Sequence, residues 1–547
     1  MSTAAVSAPM AGETLRENSS KKDVRLMNIE AAKAVADAIR TSLGPRGADK
    51  MVSQPDGEVI ITNDGATILN KMCVEQPAAK MMVELSRSQD GVAGDGTTSV
   101  TVLCGAMLRR ALELLERGVH PTAVSDAFAR AESKAQQILR EAALPVAAED
   151  RESLVKAAAT SLSSKVVHAY SDLLSPMAVD CLLKVADPKT GLADLRDVRV
   201  VPKVGGTVDD SRVVDGVLLD LPALKSSGGP SKMENAKIAV VQFHFGPPKS
   251  DVENSVAVAD YAAMDRVLRE ERNHILGLVK KVKKTGCNVL LIQKSILRDA
   301  VTDLAAHYLA KAKIMVVKDV EREEIERICR ALGCAPLAHP DALTADRLAL
   351  ADRVAEAEAG RGRVVEITGI RGVASAAEPG SEAARGERTV APSVGVLLRG
   401  SNELVLGEAD RSLHDALCVV RCLLQDRHLV AGGGAPEVHL AVRLAQWAKT
   451  LSGMDVYCVR AYAEALQVIP YTLAENAGLD ATQVVTELRA LHAAGNPYHG
   501  INVRKNAVTN MLEENVVQPL LVTSSALSLA TECVRLILKI DDIVPVR

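Results

Sequence analysis

Aromatic side chains are nearly missing from this chain of 547 residues: one Trp, three Phe and seven Tyr make up 2% of it. Single-stranded nucleic acid is held by stacking on aromatic faces, so that ligand class is disfavoured. The cores must instead be packed by Ala, Val, Leu and Ile. A dominant charge is also missing. The 65 basic and 69 acidic residues leave a formal −4, which carries no polyanion-binding signature. No apolar run reaches the ~20 residues of a membrane span, and no secretory leader pattern opens the chain. Ten cysteines are scattered without a Cys-x-x-Cys pair, the pattern expected of reduced thiols in a soluble, cytoplasmic protein. Cys418 and Cys422, four apart on a helical pattern, fit a metal or redox pair, or more simply two small residues on a buried face. The familiar nucleotide signatures are absent as well. There is no G-x-x-x-x-G-K-[ST], and "GDGTTS" lacks the last glycine of a dinucleotide fingerprint. Any nucleotide site here is of another kind.

What is present is an ordinary globular balance, 48% hydrophobic and 24% charged, with length for several domains' worth of core. Residues 1–22 are small, polar and patternless, and read as a mobile segment. From Val24 to Ser42 the apolar spacing is helical up to Gly44-Pro45. Two strand-like runs then flank Pro55-Asp56-Gly57 as a hairpin. Helical periodicity returns at Pro77 and again after Gly96, where Val100, Leu103, Cys104, Met107, Leu108 and Ala111 form one stripe. The middle differs. "KIAVVQFHF", "NVLLIQ" and "KIMVVKDV" alternate with helical segments such as "LRDAVTDLAAHYLAKA", which predicts an α/β domain with its own sheet over about 215–370. Residues 246–271 interrupt it with a proline pair and then helix, a projecting insertion. Residues 373–391 are a low-complexity solvated loop, and from about 404 helical patterns dominate. The order helical, α/β, helical predicts a chain that leaves one domain and returns to it.

Four loops carry the candidate chemistry. "TSLGPRG" (41–47) is either a helix stop or a backbone approach to a ligand. "TNDG" (62–65) places Asp64 in a turn, either as a plain Asx-turn or facing a ligand. "AGGGAPE" (431–437) offers three glycines before a helix, where flexibility and close ligand contact are both open. "GDGTTS" (94–99) is the most specific. A carboxylate between two glycines, followed by three hydroxyls at a helix start, suits a phosphate with a divalent cation.

In this order and at these separations, "TSLGPRGADKM", "ITNDGATIL", "GDGTTSV", "RGVHPT" and "GGGAPEVHLA" resemble the group II chaperonins, ATP-driven folding chambers. The resemblance runs from about residue 24 to the C-terminus, broken only at 373–391. "NVLLIQKSILRDAVTDLAAHYLAKAKIMVVKDVERE", "RGSNELVLGEADRSLHDALCVVRC" and "ECVRLILKIDDIV" narrow it to one subunit type of the eight-membered eukaryotic cytosolic complex. It implies a multi-domain α and α/β fold. The mainly helical equatorial ATP-binding domain would be 23–146 with 405–547, and the small intermediate hinge domain 147–214 with 371–404. The α/β apical, substrate-binding domain would be 215–370, with 246–271 as a helical protrusion or lid.

It also implies roles. Asp95 would bind Mg2+. Leu43, Gly44, Pro45, Gly65, Gly96, Thr97, Thr98, Ser99 and Ser164 would surround the phosphates of ATP. Asp64 and Asp415 would orient and activate the attacking water, and Lys165 would sense the γ-phosphate. Gly433, Gly434 and Asn502 would hold ribose and adenine. Gln518 departs from an acid that many family members carry against the ribose, which bears on affinity rather than on chemistry. The implied partners are other subunits in a hetero-oligomeric double ring, eight per ring, and non-native client proteins, with no nucleic acid and no membrane. The expected activity is ATP hydrolysis that drives chamber closure. Two alternatives stand beside it: a slowly hydrolysing structural subunit, and a small-molecule kinase with a compact polar acceptor pocket. Lys294, Arg298 and Lys313 in the apical segment fit a client surface or merely solvated faces.

Overall fold

The computed structural model describes residues 21–53, 57, 59–147, 150–187, 191–225, 228–247, 258, 260–296, 298–373 and 392–544. The expected mobile segment up to residue 20, the turn residues Pro55 and Asp56, residues 248–257 and 259 of the insertion, and 374–391 of the low-complexity loop lie outside them. The chain divides into two compact units. One runs to Val179 and resumes at Arg411; the other spans Asp180–Asp410.

In the first unit the scarcity of aromatics forces close helix packing. The central helix is Thr97–Glu116, and every residue of its anticipated stripe is buried. The Lys21–Arg40 helix packs so tightly on it that a Cβ at Gly105 would lie 2.4 Å from the Cβ of Ala36. The few large rings are used centrally. Phe128 meets Tyr462 edge-on at 5.2 Å, and the Tyr462 hydroxyl shares a 2.9 Å hydrogen bond with Thr531. Pro77 and Pro121 begin their helices, where a missing N–H costs nothing. The hairpin pairs Lys50–Ser53 antiparallel with Val59–Thr62.

Three features of this unit were not anticipated. Leu144–Pro145, His428–Ala431 and Val517–Pro519 form a small sheet, and His499–Asn502 pairs with Ala507–Asn510. Runs of two to four residues are too short to show an alternating pattern. The third corrects the expectation about membrane-length runs. Leu520–Lys539 is long and apolar enough by composition to cross a membrane, with mean hydropathy 1.5. It is 61% buried within the protein, and Leu520, Leu527, Ala530, Val534 and Ile537 join the helical core.

The second unit is built on one eight-stranded mixed sheet. Its strand order is Val198–Val204, Val394–Gly400, Arg212–Leu219, Gly362–Val373, Ala349–Ala359, Lys232–Val241, Val289–Gln293, Met315–Val320. The last three are parallel neighbours and correspond to the three anticipated strands. Val289–Gln293 is covered on both faces and so reads as continuous apolar sequence. The Ala349–Ala359 and Gly362–Val373 hairpin was not singled out, because its strands mix buried and exposed positions.

Two boundaries differ from expectation. The helix in "LRDAVTDLAAHYLAKA" begins only at Asp303, capped by Thr302. The residues before it are tied to another segment, with Phe245 N–H donating to the Ala300 carbonyl at 2.9 Å. The helix after the proline pair continues past residue 271, as Tyr261–Lys284. Its second half buries Ile275, Leu278, Val279 and Val282 in a sheet-face core, while Tyr261, Met264 and Leu268 in the first half are exposed.

Candidate nucleotide site

At the start of the Thr97–Glu116 helix a small polar cleft opens in the first unit. It is lined by Ser42, Leu43, Gly44, Asn63, Asp64, Gly65, Asp95, Gly96, Thr97, Thr98, Ser99, Ser164 and Lys165. Three separate loops and the turn after the Arg151–Leu162 helix contribute to it. A carboxylate-rich, hydroxyl-rich cleft at a helix N-terminus is suited to phosphate: backbone N–H groups and the helix dipole favour the anion.

The glycines are there for closeness. Gly94 and Gly96 both have positive φ, 69° and 76°, and Gly96 caps the helix in the left-handed conformation. A Cβ at Gly94 would sit 2.2 Å from the Cβ of Cys418, and one at Gly65 would sit 2.6 Å from the Thr98 hydroxyl. A larger residue at Gly65 would push the Asp64 loop off the Asp95 loop, and one at Gly94 would strike Cys418.

Asp64 is both the N-cap of the Gly65–Lys71 helix and a wall of the cleft. Its carboxylate accepts from Ala66 N–H at 3.3 Å, Thr67 N–H at 2.9 Å, the Thr67 hydroxyl at 2.7 Å and the Thr97 hydroxyl at 3.1 Å. Burial pushes its pKa up, but Lys165 and these donors outweigh that and hold it below the usual carboxylate value. Asp95 accepts from Gly96 N–H at 2.7 Å, and Gln89 donates to its carbonyl at 2.9 Å.

Lys165 and Asp415 form a buried ion pair at 2.7 Å, each side chain 9% exposed. Asp415 stands on the Glu403–Gln425 helix. Burial pushes its carboxyl up to about 8; Lys165 opposes this, and the charges of Asp64 and Asp95 add to it. Lys165 stays protonated. Burial alone would lower its pKa, but Asp415, Asp64 and Asp95 all attract the ammonium and raise it. Three acids from distant segments are therefore gathered around one lysine.

Other sequence-predicted residues are placed elsewhere. Pro45, Gly433, Gly434, Asn502 and Gln518 do not line this cleft, and Asp415 reaches it only through its pairing with Lys165. The glycine triplet has an internal reason. Cβ atoms at Gly432, Gly433 and Gly434 would lie 2.9 Å from Val516, 2.9 Å from Met511 and 3.0 Å from Pro470. Asn502 spends its carbonyl oxygen on the N–H groups of Arg504 and Lys505, both at 3.0 Å. The Gln518 amide donates to the Thr523 hydroxyl at 2.7 Å. Cys418 and Cys422 are buried free thiols, pushed upward mainly by burial, and Cys418 packs against Gly94. Both stand on a buried face, as the simpler reading of that pair expects.

Sequence reasoning missed Asn63, Thr67 and Asp90. Asn63 donates to the Ser164 carbonyl at 3.2 Å and so ties two walls of the cleft together. Asp90 has its carboxyl pushed up by burial and by Asp64. Asn63 sits inside the quoted "TNDG", so its neighbour was the available signal. Nothing local marks Asp90.

The cleft carboxylates Asp64 and Asp95 fit Mg2+ held in the usual way, by one or two carboxylates with other oxygens completing the shell. The model of the TCP-1/cpn60 chaperonin family matches residues 35–547. T-complex protein 1 subunit delta of Arabidopsis thaliana is 59% identical, with all of both chains covered. The human protein of that name is 56% identical over 96% of this chain and 94% of its own, and that of Schizosaccharomyces pombe is 53% identical over 95% and 96%. From its loops to its full-length matches, the chain belongs to the TCP-1/cpn60 chaperonin family, in the group II branch that contains these delta subunits.

Proposed function

We propose that this chain is an ATP-hydrolysing chaperone subunit whose nucleotide turnover drives closure of a double-ring folding chamber around non-native polypeptides. One observation carries the reading: Asp64, Asp95 and Lys165, from three separate segments, line one cleft at the start of a helix, and Asp415 from a fourth pairs with Lys165. In this reading Gly44, Gly96, Thr97, Thr98 and Ser99 hold the phosphates by backbone N–H groups and hydroxyls. Asp95 holds Mg2+, which when bound supplies neutralisation of charge on the phosphate oxygens. Asp64 is kept ionised by its donors and orients the attacking water. Asp415, which burial makes more basic than an ordinary carboxylate, takes the water's proton. Lys165 meets the γ-phosphate, and so must exchange its partner Asp415 for the incoming anion. The exchange couples nucleotide arrival to release of the base.

The assignment of domains belongs to the same proposal: equatorial 23–146 and 405–547, intermediate 147–214 and 371–404, apical 215–370 with a protrusion at 246–271. Strands Val198–Val204 and Val394–Gly400 fall in the proposed intermediate segments while pairing in the large sheet. The helices Ser171–Val185 and Glu403–Gln425 run across the limits of the compact units and are the natural places for bending. Partners in a hetero-oligomeric ring of eight and a cytoplasmic setting complete the reading; the relatives' name, a subunit of T-complex protein 1, supports the first.

The test is Asp95→Ala and Asp415→Ala, each assembled into rings, with ATP turnover and client release measured. Turnover at this chain's own site should fall by roughly the 10² expected for loss of a positioned acid–base group, so a ring whose other subunits are intact should lose this chain's share of total turnover. Unchanged turnover and release would instead favour the slowly hydrolysing structural subunit.

A further inference from the structure

The helix Arg322–Leu332 ends in a hydrogen-bond pattern that sets two thiols side by side. Gly333 is left-handed, with φ 66°. Its N–H donates to the Arg330 carbonyl at 3.2 Å, and the Cys334 N–H reaches back to the Cys329 carbonyl at 3.0 Å. This double closure packs the residue after the glycine against the side chain in the last helical turn, a contact that is ordinarily apolar. Here both positions are cysteine, so the backbone closure makes the two free thiols neighbours. Cys329 is buried in the core beneath the sheet, whereas Cys334 is part-exposed at its edge. The more accessible sulfur, Cys334, is the one an oxidant meets first.

We propose that Cys329 and Cys334 form a reversible intramolecular disulfide under hydrogen peroxide, a modification site that staples the end of the Arg322–Leu332 helix. The Cys334 thiolate attacks one peroxide oxygen and displaces hydroxide, becoming a sulfenic acid. The Cys329 sulfur then gives up its proton and attacks the Cys334 sulfur, the S–S bond forms, and water leaves. Two thiols lose two electrons and two protons, and peroxide is reduced to two waters. A dithiol reverses the step. The chain contains its own control. Cys104 and Cys533 interact as a second pair of free thiols, but both are buried in the helical core, away from solvent.

The full-length protein is treated with dilute hydrogen peroxide, alkylated, digested and mapped by mass spectrometry. The peptide holding both residues is expected to lose two hydrogens, to lose alkylation at both sulfurs, and to regain it after dithiothreitol. Cys104 and Cys533 should alkylate fully once the protein is denatured. In Cys329→Ser, Cys334 should stop at the sulfenic acid and be captured by dimedone; in Cys334→Ser, Cys329 should remain a thiol. Wild-type Cys334 found as sulfinic acid or bonded to another molecule, with Cys329 still alkylating, would overturn the proposal. So would Cys329 that oxidises equally in Cys334→Ser. The wild-type map decides the matter even where a variant folds poorly.

Discussion

Asp64 shows how one side chain carries two duties that a single substitution would confuse. It caps a helix and it faces the cleft. Removing it with Asp64→Ala loses the cap, worth about 0.5–2 kcal/mol, as well as the charge. Asp64→Asn keeps an oxygen for Thr67 and loses only the charge. We therefore expect the urea midpoint to fall clearly for Asp64→Ala and only slightly for Asp64→Asn, while ATP turnover falls alike in both. Turnover that tracked stability instead would reduce Asp64 to a cap. In the sequence "TNDG" the Asx-turn and the ligand-facing reading stood as alternatives. The structure has the turn, with the carboxylate on the cleft wall, because a capping carboxylate points its oxygens along the helix axis toward the N-terminal end.

Helices behave differently when their neighbours are close. At Gly105, alanine would gain about 1 kcal/mol of helix propensity, but its Cβ would meet that of Ala36 at 2.4 Å. Neither atom can rotate away, and overpacking costs ~1–3 kcal/mol, so Gly105→Ala should lower the melting temperature. A higher one would mean that the two helices can part freely. The Ala435–Ala448 helix carries two buried groups that respond oppositely to pH. Burial pushes Glu437 up to about 7, and its Oε2 has no hydrogen-bond partner among the described residues. Stability therefore falls as pH rises from about 4.5, where the unfolded carboxyl ionises, to about 7, where the folded one does, and the full cost stands above pH 7. Glu437→Gln should raise the melting temperature more at pH 8 than at pH 6. His439 is pulled down to about 4, mainly by burial and then by His492. Between about pH 6.5 and pH 4 only the unfolded chain takes its proton. Stability should fall across that window, and less so in His439→Gln. Melting curves of the two variants at pH 5, 6 and 8 separate the effects.

At the scale of the molecule, the returning chain makes the helical unit depend on segments hundreds of residues apart. A ligand gripping several of them stabilises that unit by mass action, about 2.7 kcal/mol at one hundred times its dissociation constant. Hydrogen exchange with saturating ATP and Mg2+ should show new protection at the start of the Thr97–Glu116 helix and in Gly65–Lys71. Removing Mg2+, or using Asp95→Ala, should abolish part of it. No added protection at either helix would place the nucleotide elsewhere.

The sequence by itself determined the buried stripe of the Thr97–Glu116 helix, the three parallel strands of the sheet, the departure and return of the chain, and the loops that identify its family. Periodicity and glycine spacing are local quantities, and they are written along the chain. Only the tertiary structure decided that Lys165 pairs with Asp415, that the glycine triplet is filled by Met511, Val516 and Pro470, that strands from 198–204 and 394–400 complete one sheet, and that Cys329 meets Cys334. Ion pairing, steric closeness and strand partnership are relations between segments whose separation in space bears no relation to their separation in sequence, so no window along the chain contains them.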